Sequence, residues 1–328
     1  MSRRGRFSVI IVGAIAAVAI MAVAAQRFDI PFTGIEEEWA IGIGVGETPF
    51  DLADPPAGNP VLTTDGGGDV PDYGYADPFL VATDDGWLMF YEIIRRDDDG
   101  AFGEKGVIGL ARSDDGVAWQ SEGVVLEEQF HLSYPQVFEV DGSHFMVPES
   151  NQAGEVILYR ATNFPRDWTR EAAILDGAFA DPTIFQFDGR WWLFATDSGE
   201  RADDTLRLFH AHALLGPWME HPSSPVVEGD VSKARSAGGV IEHDGELFRF
   251  AQDNTDGYGR AVVAIRIDEL TSSRYAETPR TDNPVIEASE SGWNSAGMHH
   301  VSAVRRPDGT YIAAIDGYRT FRVFGPGS

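Results

Sequence analysis

Five short segments of the chain carry a chemically different side chain at one recurring position. Counting back seven residues from the Asp of an Asp-Gly pair reaches Tyr134, Asp181 and Ala237, and counting back eight reaches Asp77 and His300. An acid, a phenol, an acid, a small residue and an imidazole thus share otherwise similar contexts, as an asymmetric site on a repeated scaffold requires. A second set of acids, Glu92, Glu149, Asp197, Asp253 and Asp316, follows each Asp-Gly pair by a few residues. Most of this set reads as turn-capping carboxylate. Glu149 stands apart, because Pro148 extends the backbone before it and small polar Ser150 and Asn151 follow. Two or three carboxylates around a concave site suit cleavage of a glycosidic bond: one, ionised, activates water, and another, its pKa raised by its neighbours, protonates the leaving oxygen. Tyr75, Trp87, Tyr91, Tyr134, Trp191, Trp192 and Trp293 are available to stack on sugar faces, although most fit a core better. His299 and His300 are adjacent, so on a strand they point to opposite faces and only one can face the site.

The elements that must position these residues are hairpins. Asp-Gly between apolar runs is a strong hairpin signal, since the turn needs φ > 0 at both central residues. The pairs begin at 85, 141, 188, 244 and 308, about 50 residues apart, which is room for four antiparallel strands per repeat. The expected fold is therefore all-β, a five-bladed β-propeller over residues 71–328 whose innermost strands line a central channel. A β-sandwich is the alternative, with no reason to repeat one motif five times. Residues 27–70, rich in Gly, Pro and Asp, read as a linker into the repeats. Residues 1–26 begin with Arg3, Arg4 and Arg6 and continue as an apolar run, the pattern of an export helix serving as signal peptide or retained anchor. Either form places the rest of the chain outside the cytoplasm.

Composition narrows the chemistry. The 328 residues carry 25 Lys+Arg against 52 Asp+Glu, a formal charge of −27, and no Cys. A surface this acidic repels phosphate backbones, so nucleic acid is excluded as a partner. Thiolate nucleophiles, disulfides and Cys-ligated metals are excluded outright. G-x-S-x-G, P-loop and H-E-x-x-H motifs do not occur. Acidic runs such as Asp97-Asp98-Asp99 and Asp203-Asp204 read as solvated loops.

Tyr75-Ala76-Asp77-Pro78-Phe79, His131-Leu132-Ser133-Tyr134-Pro135, Val147-Pro148-Glu149-Ser150, Leu215-Gly216-Pro217-Trp218 and Ala234-Arg235-Ser236-Ala237-Gly238 together resemble a known domain. It is the amino-terminal domain of plant glucosamine inositolphosphorylceramide transferases and its stand-alone bacterial relatives. That domain is similar to the five-bladed propellers of the arabinanase, levansucrase and invertase superfamily. The resemblance implies that Asp77 acts as base or nucleophile and that Asp181 tunes a pKa and orients substrate. Where family 43 glycoside hydrolases place a Glu in the fourth blade, this chain has Arg235-Ser236-Ala237-Gly238. Glu149 is the replacement acid, and Tyr134, Arg235, Gln252, Asp253 and His300 are the expected substrate contacts. The expected function is a glycoside hydrolase acting on a glycan or glycoconjugate. The alternative is a non-catalytic carbohydrate-binding propeller related to the accessory domain of a glycosyltransferase. No cofactor is expected, with a structural calcium ion in the channel left open. The apolar helix, if uncleaved, adds a membrane contact.

Overall fold

Asp-Gly pairs close their hairpins in the way the side chains dictate. In Asp141-Gly142, Asp188-Gly189 and Asp244-Gly245 both residues have positive φ (49° and 73°, 50° and 68°, 52° and 79°), which gives the twist that antiparallel strands need. The computed structural model describes residues 33–64, 72–96, 104–199 and 203–324. The expected export helix at 1–26 and the acidic run at 97–99 lie outside the described residues. Among the described residues no helix is long and apolar enough to cross a membrane.

The chain is all-β. It opens with β1 (Thr33–Thr48) and the short β2 (Asp51–Ala53), then β3 (Asp72–Thr83), β4 (Gly86–Arg96), β5 (Glu104–Ser113) and β6 (Gln120–Leu126). β7 (Ser133–Val140), β8 (Ser143–Glu149), β9 (Glu155–Asn163) and β10 (Asp167–Asp176) make a sheet of four strands in the order β10-β9-β8-β7. β11 (Phe179–Phe187), β12 (Arg190–Asp197), β13 (Thr205–Ala211) and β14 (Met219–Glu220) form the next sheet, with β15 (Val227–Glu228) also on β13. β16 (Ile241–His243), β17 (Glu246–Asp253), β18 (Ala261–Leu270) and β19 (Tyr275–Pro279) follow, with β20 (Ile286–Glu287) on β18. The last hairpin, β21 (Val301–Arg305) and β22 (Tyr311–Phe324), joins β1 and the first repeat in the order β21-β22-β1-β3-β4-β5-β6. The segment 27–70, expected to be a linker, thus supplies a long strand whose partners come from the far end of the chain and, in parallel at Trp39 and Gly74, from β3. Glu38–Arg319 form one compact unit, and the described residues 33–37 and 320–324 belong to a second.

Both faces of the middle strands are buried, and alternate residues of one strand join different cores. Leu88 and Phe90 of β4 pack with Met146, Ile157 and Tyr159 of the second repeat. Their neighbours Met89 and Tyr91 pack with Ile41, Ile43, Ile312 and Ala314. Val147 of β8 sits with Leu193 and Ala195 of β12, Trp192 and Phe194 with Ile267 and Leu270 of β18, and Phe248 and Phe250 of β17 with Val301, Ala313 and Ile315. Each sheet is therefore stabilised by its neighbours in sequence, and β22 is stabilised by the first.

One irregularity recurs and turns the fold toward function. Asp77, Tyr134 and Asp181, each followed by Pro, adopt φ of 50°, 48° and 47°. The ladder slips at the same place each time, between Ala76 and Phe79, Ser133 and Gln136, and Ala180 and Thr183. A left-handed non-glycine residue costs on the order of 1–2 kcal/mol, and such strain persists where surrounding bonds over-determine it. Here the bulge frees each residue's N–H from its own sheet and aims it at a side chain of another repeat. In the fourth repeat the N–H aimed at another repeat belongs to Gly238, one place after the aligned Ala237, with φ of 134° and the Tyr134 hydroxyl as acceptor. A Cβ there would lie 1.9 Å from the Val301 carbonyl oxygen, so only glycine fits.

Candidate functional site

The bulge N–H groups are captured by carboxylates. Asp316 Oδ2 accepts the Asp77 N–H at 2.9 Å, Asp77 Oδ2 the Tyr134 N–H at 3.2 Å, and Glu149 Oε2 the Asp181 N–H at 3.0 Å. Successive repeats are thereby stitched together by the acids that carry the candidate chemistry. Asp77, Glu149 and Asp181 are 5 %, 4 % and 1 % exposed, so their charges depend on a few named partners.

At Asp77 the partner is His299. Its Nδ1 lies 2.8 Å from Asp316 Oδ1 and its Nε2 3.9 Å from Asp77 Oδ1. Asp316 Oδ1 also accepts the N–H groups of His299 and His300. Burial works against a charged imidazole, but Asp316 and then Asp77 outweigh it and hold His299 up at about 9. For Asp316, burial is likewise outweighed, by His299, and its pKa is lowered. Asp77 is pushed well above the usual carboxylate range by burial, with Asp181, Glu92 and Asp316 adding and His299 opposing. Asp77, His299 and Asp316 offer ligand atoms within 4.8 Å of one another, enough for a metal ion. A calcium ion prefers oxygen donors, and Asp316 Oδ1 is already engaged, so a cation here would also have to displace the His299 proton. As the chain stands, the imidazolium supplies the positive charge.

At the other acids the partner is Arg235. Its Nε donates to Asp181 Oδ2 at 2.6 Å and its Nη1 to Asp203 Oδ1 at 2.8 Å, while Nη2 lies 3.8 Å from Glu149 Oε2. Gln252 Nε2 donates to the same Asp181 oxygen at 3.1 Å. Glu149 also accepts from Asn151 Nδ2 at 2.6 Å. Burial, then the charge of Asp181, pushes the Glu149 carboxyl up to about 8, against the pull of Arg235 and His131. A protonated carboxyl beside a salt-bridged carboxylate is the pairing expected of an acid catalyst.

The structure brings Asp77, Glu149, Asp181, Arg235 and Gln252 into one network, and it corrects several expectations. Tyr134, an expected substrate contact, is fully buried. Its hydroxyl is spent on Thr183 Oγ1 and on the Gly238 N–H, both at 2.8 Å, which makes it a brace between repeats. Asp253 is half-buried at the end of β17, where it accepts the Thr255 N–H rather than joining the network. The two histidines do not diverge, because they lie in irregular backbone just before β21; His300 Nδ1 is 3.6 Å from Asp77 Oδ1. His300 is fully buried between the rings of Phe79 and Tyr134. Among the described residues neither of its nitrogens is within hydrogen-bonding geometry of a partner, and burial lowers it to about 4. Asp203, expected in a solvated loop, is a ligand of Arg235. His299, Tyr258 and His131 were not among the expected contacts. His131 Nδ1 accepts the Gly106 N–H, leaving Nε2 to face Glu92 at 3.2 Å. These residues sit in loops, where no periodicity announces them.

Comparison with known proteins identifies the family and the fold. Glucosamine inositolphosphorylceramide transferase 1 of Oryza sativa subsp. japonica is 37% identical over 309 residues, covering 87% of this chain and 40% of its own length. The chain thus spans about two fifths of that relative. Among solved structures, the catalytic domain of the Coprinopsis cinerea GH62 α-L-arabinofuranosidase superposes with a TM-score of 0.57 at 13% identity, covering 86% of this chain and 97% of its own. β-1,2-Mannobiose phosphorylase from Listeria innocua gives 0.59 at 12%, covering 84% and 96%. The fold is therefore the β-propeller of these carbohydrate-active proteins, and because it serves both a glycosidase and a phosphorylase it does not choose the reaction. Residues 33–318 match the family described as "Glucosamine inositolphosphorylceramide transferase 1, N-terminal", and the chain belongs to that family.

Proposed function

We propose that the protein is an exported, glycan-active propeller of five blades and that it works as a glycoside hydrolase. Glu149 gives its proton to the leaving oxygen as the glycosidic C–O bond breaks. Asp77 takes a proton from the attacking water, whose oxygen bonds to the anomeric carbon. Asp181, held by Arg235 and Gln252, lies beside Glu149 and helps it keep its proton. His299 opposes, without cancelling, the burial that raises Asp77, and the positive charge developing on the sugar favours the ionised form that accepts the water proton. The observation that carries this reading is the burial of three carboxyl groups from successive repeats around one arginine and one imidazolium. Export rests on the basic and apolar pattern of residues 1–26, and the glycan on the carbohydrate-active relatives.

A second reading, glycan binding without turnover, draws support from Glu149 itself, whose two oxygens are both engaged by internal donors. A screen of a glycan library for binding and for release of reducing ends separates the two. Hydrolysis by the wild type that is lost in Glu149→Gln and Asp77→Asn supports the enzyme, whereas binding with no release in any form supports the second reading.

A further inference from the structure

The loop between β17 and β18 places an aromatic side chain over the acid network. Tyr258 is 42% exposed, among the larger exposures of any big apolar side chain in the described chain. Its ring lies 5.1 Å from the Arg235 guanidinium, 5.4 Å from His299 edge to face, and 6.4 Å from Trp39. Its hydroxyl makes no hydrogen bond among the described residues, yet it lies within electrostatic reach of Asp181, Asp77 and Glu149. The loop is held firmly. Gly259 N–H donates to Asn254 Oδ1 at 2.6 Å, Arg260 Nη1 to the Ala296 carbonyl at 2.6 Å, and Tyr318 Oη to the Tyr258 carbonyl at 3.0 Å. Gly259 packs so tightly on His299 that a Cβ would come within 2.9 Å of the histidine Cβ.

Gln252, at the root of the same loop, is 1% exposed and spends its amide N–H groups on Asp181 and the Ser236 carbonyl. Its Oε1 is buried and has no donor among the described residues, and Gln252 serves the site by holding Asp181 in place beneath Tyr258. We propose that Tyr258 binds one glycosyl unit over the acid network, a sugar free of carboxylate, sulfate or phosphate groups. The Tyr258 hydroxyl donates to a sugar oxygen, and the open side of the phenol packs on sugar C–H groups. Acidic substituents are turned away because Arg235 is already committed to Asp181 and Asp203 and His299 to Asp316, which leaves an anion no uncommitted counter-ion in the network.

This inference rests on the glycan reading, and a glycan microarray carrying neutral, uronate and sulfated glycans tests the two separately. Wild type, Tyr258→Phe and Tyr258→Ala are compared, with melting temperature as the folding control. The expected result is wild-type binding to neutral glycans only, weakened at least tenfold by Tyr258→Ala and less by Tyr258→Phe, at an unchanged melting temperature. Wild-type binding that Tyr258→Ala leaves intact, or that favours uronate or sulfated glycans, overturns the inference alone. No binding of any glycan by the wild type overturns the glycan reading and this inference with it.

Discussion

Arg235 decides the state of the acid cluster. It is the shared counter-ion of Asp181, Asp203 and, more distantly, Glu149, and removing one member of a buried pair leaves an uncompensated charge. Arg235→Ala is expected to cost about 3–5 kcal/mol in chemical denaturation; a loss below about 1 kcal/mol would show that water already screens the site. Arg235→Lys should recover only part, since an ammonium cannot reach both Asp181 and Asp203 in fork geometry. At this scale the sequence is legible where a motif marks a bulge: Asp77-Pro78, Tyr134-Pro135 and Asp181-Pro182 declare their shared place, and Pro148 marks Glu149. It is illegible at Tyr258, Asp203 and His131, which reach the site through loops whose path depends on tertiary contacts.

The bulged strands couple strain to positioning. Each left-handed residue is held by a bond from another repeat, so losing that bond should be felt at a distance. Tyr134→Phe removes the acceptor for the Gly238 N–H and the Thr183 contact. It is expected to cost about 1–3 kcal/mol and to raise hydrogen exchange at Gly238, while leaving glycan contact intact because the ring is fully buried. A Tyr134→Phe variant with wild-type stability would argue against the brace. Strand β1 shows what the sequence holds and conceals. Trp39, Ile41, Ile43 and Val45 alternate with Ala and Gly, which is a strand pattern, but its surroundings of Pro, Gly and Asp read as loop, and its partner β22 lies at the opposite end of the chain. Gly42 is part of the same packing: a Cβ there would meet Trp293 at 2.8 Å and Asn59 at 2.9 Å.

Across the whole molecule, buried titration should shape stability. Folded Glu149 keeps its proton up to about 8 and Asp77 is raised in the same direction, so the folded chain binds protons that the unfolded chain has released. Stability therefore falls as pH rises from about 4.5 toward 8. His299, raised from 6.5 to about 9, favours its protonated form in the folded chain, and that contribution is lost as pH climbs through about 9. Asp316, lowered, acts oppositely: its contribution is present at neutral pH and is lost in acid, as pH falls through its depressed pKa. The net charge of −27 adds self-repulsion on the alkaline side. Thermal melts are expected to peak near about pH 5 and decline toward pH 9, with Glu149→Gln shallower between about 5 and 8 by up to about 1.4 kcal/mol per pH unit. A flat profile in the wild type would contradict the burial of these groups.

The most direct test of the account is the turnover of a glycan that the wild type cleaves, measured at pH 6 with Glu149→Gln and Asp77→Asn alongside. Loss of turnover by about 10²-fold or more in both variants, with binding retained, is the predicted result. Undiminished release of reducing ends by either variant would contradict the assignment of acid and base.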